Sequence, residues 1–285
     1  MPLSGYAFSA LREGELTLYR GSGEGLDPIL LVAPVAEQPR LESLRRLEHE
    51  YALRAELDPG WAARPLALDR RHNRTVLVLE DPGGQPLDRL LGRALEVTQF
   101  LRIAIPLAAA LRRVHERNLI HRDIKPANVL VDTARGGAWL TGFGIASRLP
   151  REHQIAELPE VIAGTLAYMA PEQTGRMNRS IDSRSDLYAL GVTFYEMLTG
   201  VLPFIASHPM EWVHCHIARQ PIPPSERVKG IPGPISAIVL KLLAKTAEDR
   251  YQTAAGVEAD LRSCLTAWEA HRRIDPFPLG AHDAS

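Results

Sequence analysis

Short apolar runs separated by turn residues fill the first eighty positions of the chain. YAFSAL, LTLY, PILLVAPV, RPLAL and TVLVLE, between Tyr6 and Glu80, have the length and β-branched or aromatic content of strands. One stretch breaks the pattern: over residues 41–57, Leu44, Leu47 and Tyr51 recur at helical spacing and predict one amphipathic helix. The expectation is a small sheet carrying a single helix. EDPGGQP (80–86) follows and reads as a hinge, because Pro and Gly end both strands and helices. Beyond it the period becomes helical. Leu101, Ile105, Ala108 and Leu111 mark one helix face, with Pro106 inside it, which predicts a kink or a cost of about 3 kcal/mol. SDLYALGVTFYEMLTG (185–200) is apolar nearly all round and ends at Gly200, with Pro203 beyond, as a buried central helix would. The Pro-containing tail after Arg272 is expected to be poorly ordered.

Composition narrows the function classes. With 285 residues, 45% hydrophobic and 24% charged, the chain is that of an ordinary globular protein. A formal net charge of −1 gives no reason to expect a nucleic acid or an anionic membrane as partner. The start, MPLSGYAFSALREGEL, has no basic segment followed by an apolar run, and IAIPLAAAL (103–111) is about half the length of a bilayer span. Two cysteines, Cys215 and Cys264, are too few for a disulfide framework and read as reduced thiols. The expected location is the cytoplasm.

Four blocks then carry a resemblance. HRDIKPANVL (121–130), GTLAYMAPE (164–172), SDLYALGVTFYEMLTG and DRYQTA (249–254), in this order, resemble a Ser/Thr protein kinase domain over nearly the whole chain. They are most similar to kinase-like domains at the front of large bacterial signalling proteins, which continue into further modules. The resemblance implies an α+β, bilobal fold: a small β-rich lobe at 1–82, a larger mainly helical lobe at 83–270, and a tail or linker at 271–285. It implies ATP and Mg²⁺ as cofactors if the chain is active, and a protein substrate or signalling partner. By the same resemblance, Asp123 corresponds to the catalytic base, Lys125 to the lysine beside the transferred phosphate, and Thr165 to the threonine bridging these two. Asn128 corresponds to a metal ligand. Gly14, Leu18, Leu31, Glu80, Asn128 and Leu130 fall where nucleotide contacts are expected. His121 is expected as a packed core histidine, Asp186 as the cap of the catalytic loop, and Glu172 with Arg250 as a structural ion pair.

The departures from the family pattern concern charge. In LTGFGIA (140–146), Gly142 stands where D-F-G has its metal-binding Asp, and no Asp or Glu occurs between Asp132 and Glu152. ILLVAPV, aligned with V-A-I-K, puts Ala33 in place of the phosphate-binding lysine, opposite Glu50. No shift of register supplies one, because the first lysine of the chain is Lys125. Arg20 is a candidate substitute, although its planar fork differs from an ammonium. In the phosphate loop, LREGELTLYRG, only Gly14 remains and Arg12 replaces the first glycine, while GSGEG (21–25) reads as the turn between the second and third strands. Leu31 falls where a small alanine usually faces adenine, and Pro82 cannot donate a hinge N–H. Arg122 usually meets a phosphate, yet no Ser, Thr or Tyr lies between Arg148 and Gly164, so either Glu152, Glu157 or Glu160 stands in or the segment is a solvated charged loop. WVHCHIARQ (212–220) invites a metal reading, but His214, Cys215 and His216 are adjacent and do not easily converge on one ion. Two function classes follow. One is a pseudokinase acting as a regulatory binding module; the other is an active Ser/Thr kinase with Asp123 as base.

Overall fold

The computed structural model describes residues 3–148, 163–176 and 179–283. Strands β1 (Ala7–Arg12), β2 (Leu16–Gly23), β3 (Leu26–Pro34), β4 (Pro65–Arg71) and β5 (Arg74–Glu80) form an antiparallel five-stranded sheet in the order β1-β2-β3-β5-β4. Helix α1 (Leu41–Ala52) packs on this sheet through Leu47, and it ends five residues before the expected limit because residues 53–57 turn away. The turn expected at GSGEG is present, with β2 running to Gly23 before the chain reverses into β3. Short strands β6 (Gln85–Pro86), β7 (Leu119–Ile120), β8 (Val129–Asp132), β9 (Gly137–Leu140) and β10 (Ser147–Arg148) lie at the junction with the second lobe. That lobe holds α2 (Val97–Glu116), α3 (Ala163–Leu166), α4 (Ser183–Thr199), α5 (Pro209–Ala218), α6 (Pro224–Arg227), α7 (Gly233–Leu242) and α8 (Ala254–His271). The fold is the α+β, bilobal one expected.

Alternation decides which strand residues meet the second lobe. Leu18, Leu30, Val32, Leu77 and Leu79 join Leu47 and Leu130 in a core on the inner face, whereas Ile29, Leu31, Val76 and Val78 form a separate cluster on the outer face with Tyr6, Phe8, Tyr19 and Ala33. In the second lobe α4 is buried along almost its whole length, as its all-round apolar pattern predicts, and Phe194 meets Phe100 of α2 edge to face at 5.4 Å. Helix α2 continues through Pro106, and its packing against α4 and α8 outweighs the local propensity. Gly200 closes α4 at φ 75°, and a Cβ there would lie 2.7–2.8 Å from backbone atoms of Arg93 and Ala94. Gly200→Ala is expected to destabilise the fold by more than about 1 kcal/mol in urea denaturation, since neither backbone segment can yield.

The tail differs from its expected disorder. Ile274 is buried in the main core, and Phe277 and Leu279 pack against it. Asp283 then accepts hydrogen bonds from the N–H groups of Gln252 and Thr253 at 2.6 and 2.8 Å and from the Thr253 hydroxyl at 2.7 Å, at the start of α8. Apolar residues spaced through the tail, and not its prolines, decide its state.

Candidate functional site at the lobe junction

The loop between β7 and β8 is held by one carboxylate. Asp186, buried in the first turn of α4, accepts from the N–H groups of His121 and Arg122, both at 2.8 Å, and lies 2.9 Å from His115 Nε2. This fixes Arg122 at φ 69°, a left-handed conformation that a non-glycine residue adopts only when its surroundings enforce it. His121 is fully buried against Phe143. Its Nε2 donates to the Thr141 carbonyl at 2.9 Å and its Nδ1 accepts from the Asp123 N–H at 3.2 Å. Burial lowers its pKa, so it is a neutral packing group. The loop brings four expected residues together: Lys125 Nζ lies 3.1 Å from Asp123 Oδ1 and donates to Thr165 Oγ1 at 2.8 Å, while Asn128 Nδ2 donates to Asp123 Oδ2 at 2.8 Å.

The nucleotide side differs from the register read in the sequence. Leu31 and Ala33 lie in the outer-face cluster, so the positions facing the cleft on β3 are Leu30 and Val32. A one-residue slip moves every side chain to the other face, and ILLVAP contains no polar residue to mark which face is which. Val32 therefore holds the place expected for the lysine, and it lines the cavity with Leu18 and Glu50. Leu30, Leu79 and Leu130 are each at most 1% exposed and pack together with Leu18. Glu80 also lies elsewhere: it pairs with Ile29 and its carboxylate meets Arg64. Arg20 does not reach the phosphate end. Its guanidinium makes a two-bond pair with the buried Asp81 at 2.5 and 2.9 Å, beside the hinge proline.

A cavity of about 360 Å³ opens beside the catalytic loop, and Arg12 lines it. Arg12 Nη1 donates to Asn128 Oδ1 at 2.5 Å and to the Ala127 carbonyl at 2.9 Å. The amide oxygen expected to hold a metal ion is thus bonded to a guanidinium. Gly142, at φ 79°, packs closely on the same side chain, and a Cβ there would sit 2.7 Å from Asn128 Oδ1. Glu50, 4% exposed and with no lysine opposite, is pushed up to about 7 by burial, against the N–H groups of Phe143 and Gly142 and the charge of Arg12, which act in the other direction. Glu13, Glu15, Glu50, Asp88 and Asp123 line the cavity against Arg12, Arg46 and Lys125, five carboxylates to three cations. Tested against ATP with Mg²⁺, these groups do not fit. Arg12 engages the Asn128 oxygen, Gly142 brings no carboxylate and β3 brings no cation.

In the sequence Arg12 stands only in place of the first glycine, and nothing local signals a bond across more than a hundred residues. The candidates Glu152, Glu157 and Glu160 lie outside the described residues, and among the described residues Arg122 Nε has no hydrogen-bond partner. His214 is exposed, whereas His216 is buried among Tyr188, Phe204 and Trp212 and bonded to Leu166, so the two do not share a ligand position. Cys215 and Cys264 are buried and free. Among the described residues no helix is long and apolar enough to cross a membrane, and no group of side chains is arranged to hold a metal ion.

Comparison with known proteins agrees with this geometry at the level of family. The chain is 42% identical over 163 residues to the serine/threonine-protein kinase PknB of Mycobacterium leprae, covering 57% of this chain and 26% of that one. It is 35% identical over 202 residues to a probable serine/threonine-protein kinase of Corynebacterium efficiens, covering 69% and 28%. Against the serine/threonine-protein kinase Pkn1 of Myxococcus xanthus it is 35% identical over 201 residues, covering 70% and 29%. The aligned part spans about a quarter of the length of these relatives. The family model of the protein kinase domain matches residues 49–261, which leaves out β1–β3 with Arg12, Leu30 and Val32. With the match covering most of the chain and the bilobal fold in place, this protein belongs to the protein kinase domain family.

Proposed function

We propose that the chain is a pseudokinase, a cytoplasmic regulatory module that uses the kinase fold to bind a protein partner. The observation that carries this reading is the Arg12 bond to Asn128, in a cleft with no cation on β3 and no carboxylate at Gly142. Kinase catalysis rests almost entirely on positioning and neutralising the phosphates, and the loss of one such contact costs on the order of 10² to 10³ in rate. A second reading, an active Ser/Thr kinase that uses ATP and Mg²⁺ with Asp123 as base, draws support from the intact Asp123, Lys125 and Thr165 arrangement. Titration with ATP, with and without Mg²⁺, separates the two. A ligand at a hundredfold excess over its dissociation constant adds about 2.7 kcal/mol, which raises Tm by several degrees. The expected result is a Tm unchanged within about 1 °C. A Mg²⁺-dependent rise, with phosphotransfer abolished by Asp123→Asn, would establish the second reading instead.

A further inference from the structure

In a nucleotide-dependent kinase, metal ions and phosphates connect the phosphate loop to the catalytic machinery, and the closed form depends on that ligand. In this chain the connection is covalently part of the first hairpin. Arg12 sits at the last position of β1, pairs across the hairpin with Leu18, and places its guanidinium on two acceptors of the catalytic-loop segment, the Ala127 carbonyl and Asn128 Oδ1. Asn128 passes this contact on, since its Nδ2 bonds both the carboxylate and the carbonyl of Asp123. A second arginine works from the opposite lobe on the same strand: Arg89 Nη2 donates to the carbonyls of Ala10 and Leu11 at 3.0 and 2.7 Å. Burial pulls the Arg12 pKa down, and the neighbouring Glu50, Asp123 and Asp88 act against that and favour the charged form.

We propose that Arg12 is an internal latch: it bonds the first hairpin to the catalytic loop, covers the metal-facing oxygen of Asn128, and holds the two lobes closed with nothing bound between them. This rests on the pseudokinase reading and deepens it. The lobe arrangement that a nucleotide would impose becomes a permanent property of the chain, and a partner that reads the closed form needs no second ligand. Both bonds leave Nη1, whose two hydrogens lie in the rigid guanidinium plane and meet the two acceptors in a fixed geometry, which an ammonium on a flexible stem does not impose.

The test is amide hydrogen exchange read by mass spectrometry on the whole chain without nucleotide. Arg12→Ala is expected to speed exchange at least tenfold over residues 8–18 and 125–130 and to leave α4 as protected as before. Wild-type exchange in both segments, with α4 unchanged, would overturn the latch. Should Arg12→Ala unfold the chain, Arg12→Lys decides: faster exchange in the two segments with α4 protected supports the latch, and wild-type exchange rejects it. Because no nucleotide enters the measurement, its outcome is separable from that of the ATP titration.

Discussion

Arg250→Ala is expected to lower stability by about 3–5 kcal/mol. Arg250 has no exposed side-chain surface and forms a two-bond pair with Glu172 at 2.7 and 2.9 Å. Its other N–H groups donate to the carbonyls of Arg184, Ala244 and Lys245, and its guanidinium lies 5.0 Å from the centre of the Tyr188 ring. Truncation leaves the Glu172 carboxylate, 4% exposed, with only the Ser185 hydroxyl. An uncompensated buried charge costs more than the pair contributed, so the effect comes chiefly from what remains behind. Urea denaturation measures it. A loss under about 1 kcal/mol would mean that the pair lies in a wetter environment than its burial indicates.

Glu50→Gln has the opposite sign and depends on pH. Glu50 titrates at about 7 in the fold against a reference value of 4.5, with burial as the main cause. The folded state therefore holds a proton that the unfolded chain has already released between these values. Stability falls as pH rises from 4.5 to about 7, and the penalty is complete above that, at about 3 kcal/mol for a shift of this size. Gln carries no charge and escapes the penalty. The variant is expected to be more stable than the parent by about 2–3 kcal/mol at pH 8 and nearly equal to it at pH 4. Equal differences at the two pH values would show that Glu50 does not titrate in this window.

The catalytic loop was legible in the sequence because its chemistry is local. Asp123, Lys125 and Asn128 lie within six residues, and their mutual bonds follow from a loop that Asp186 clamps. The two lobes followed from a change of period at the hinge. The nucleotide side was legible only in part. That no lysine could serve was certain from composition, but which β3 residue faces inward was not, since six successive apolar or proline positions carry no alternation. The structure resolves it through pairing: Leu18 lies opposite Val32, and Val32 opposite Leu77, all on the inner face. Arg12 and Arg20 show the same limit from another direction. Each is defined by a distant acceptor and not by its place in a motif, Arg12 by Asn128 and Arg20 by Asp81.

The Asp283 contacts move the edge of this folding unit. Helix α8 starts with Thr253 as its N-cap, and the carboxylate that braces that cap comes from thirty residues later, after the chain has crossed back over Ile274, Phe277 and Leu279. A cut made after His271 would strip an apolar strap from the second lobe and leave two backbone N–H groups at the start of its last helix without their carboxylate.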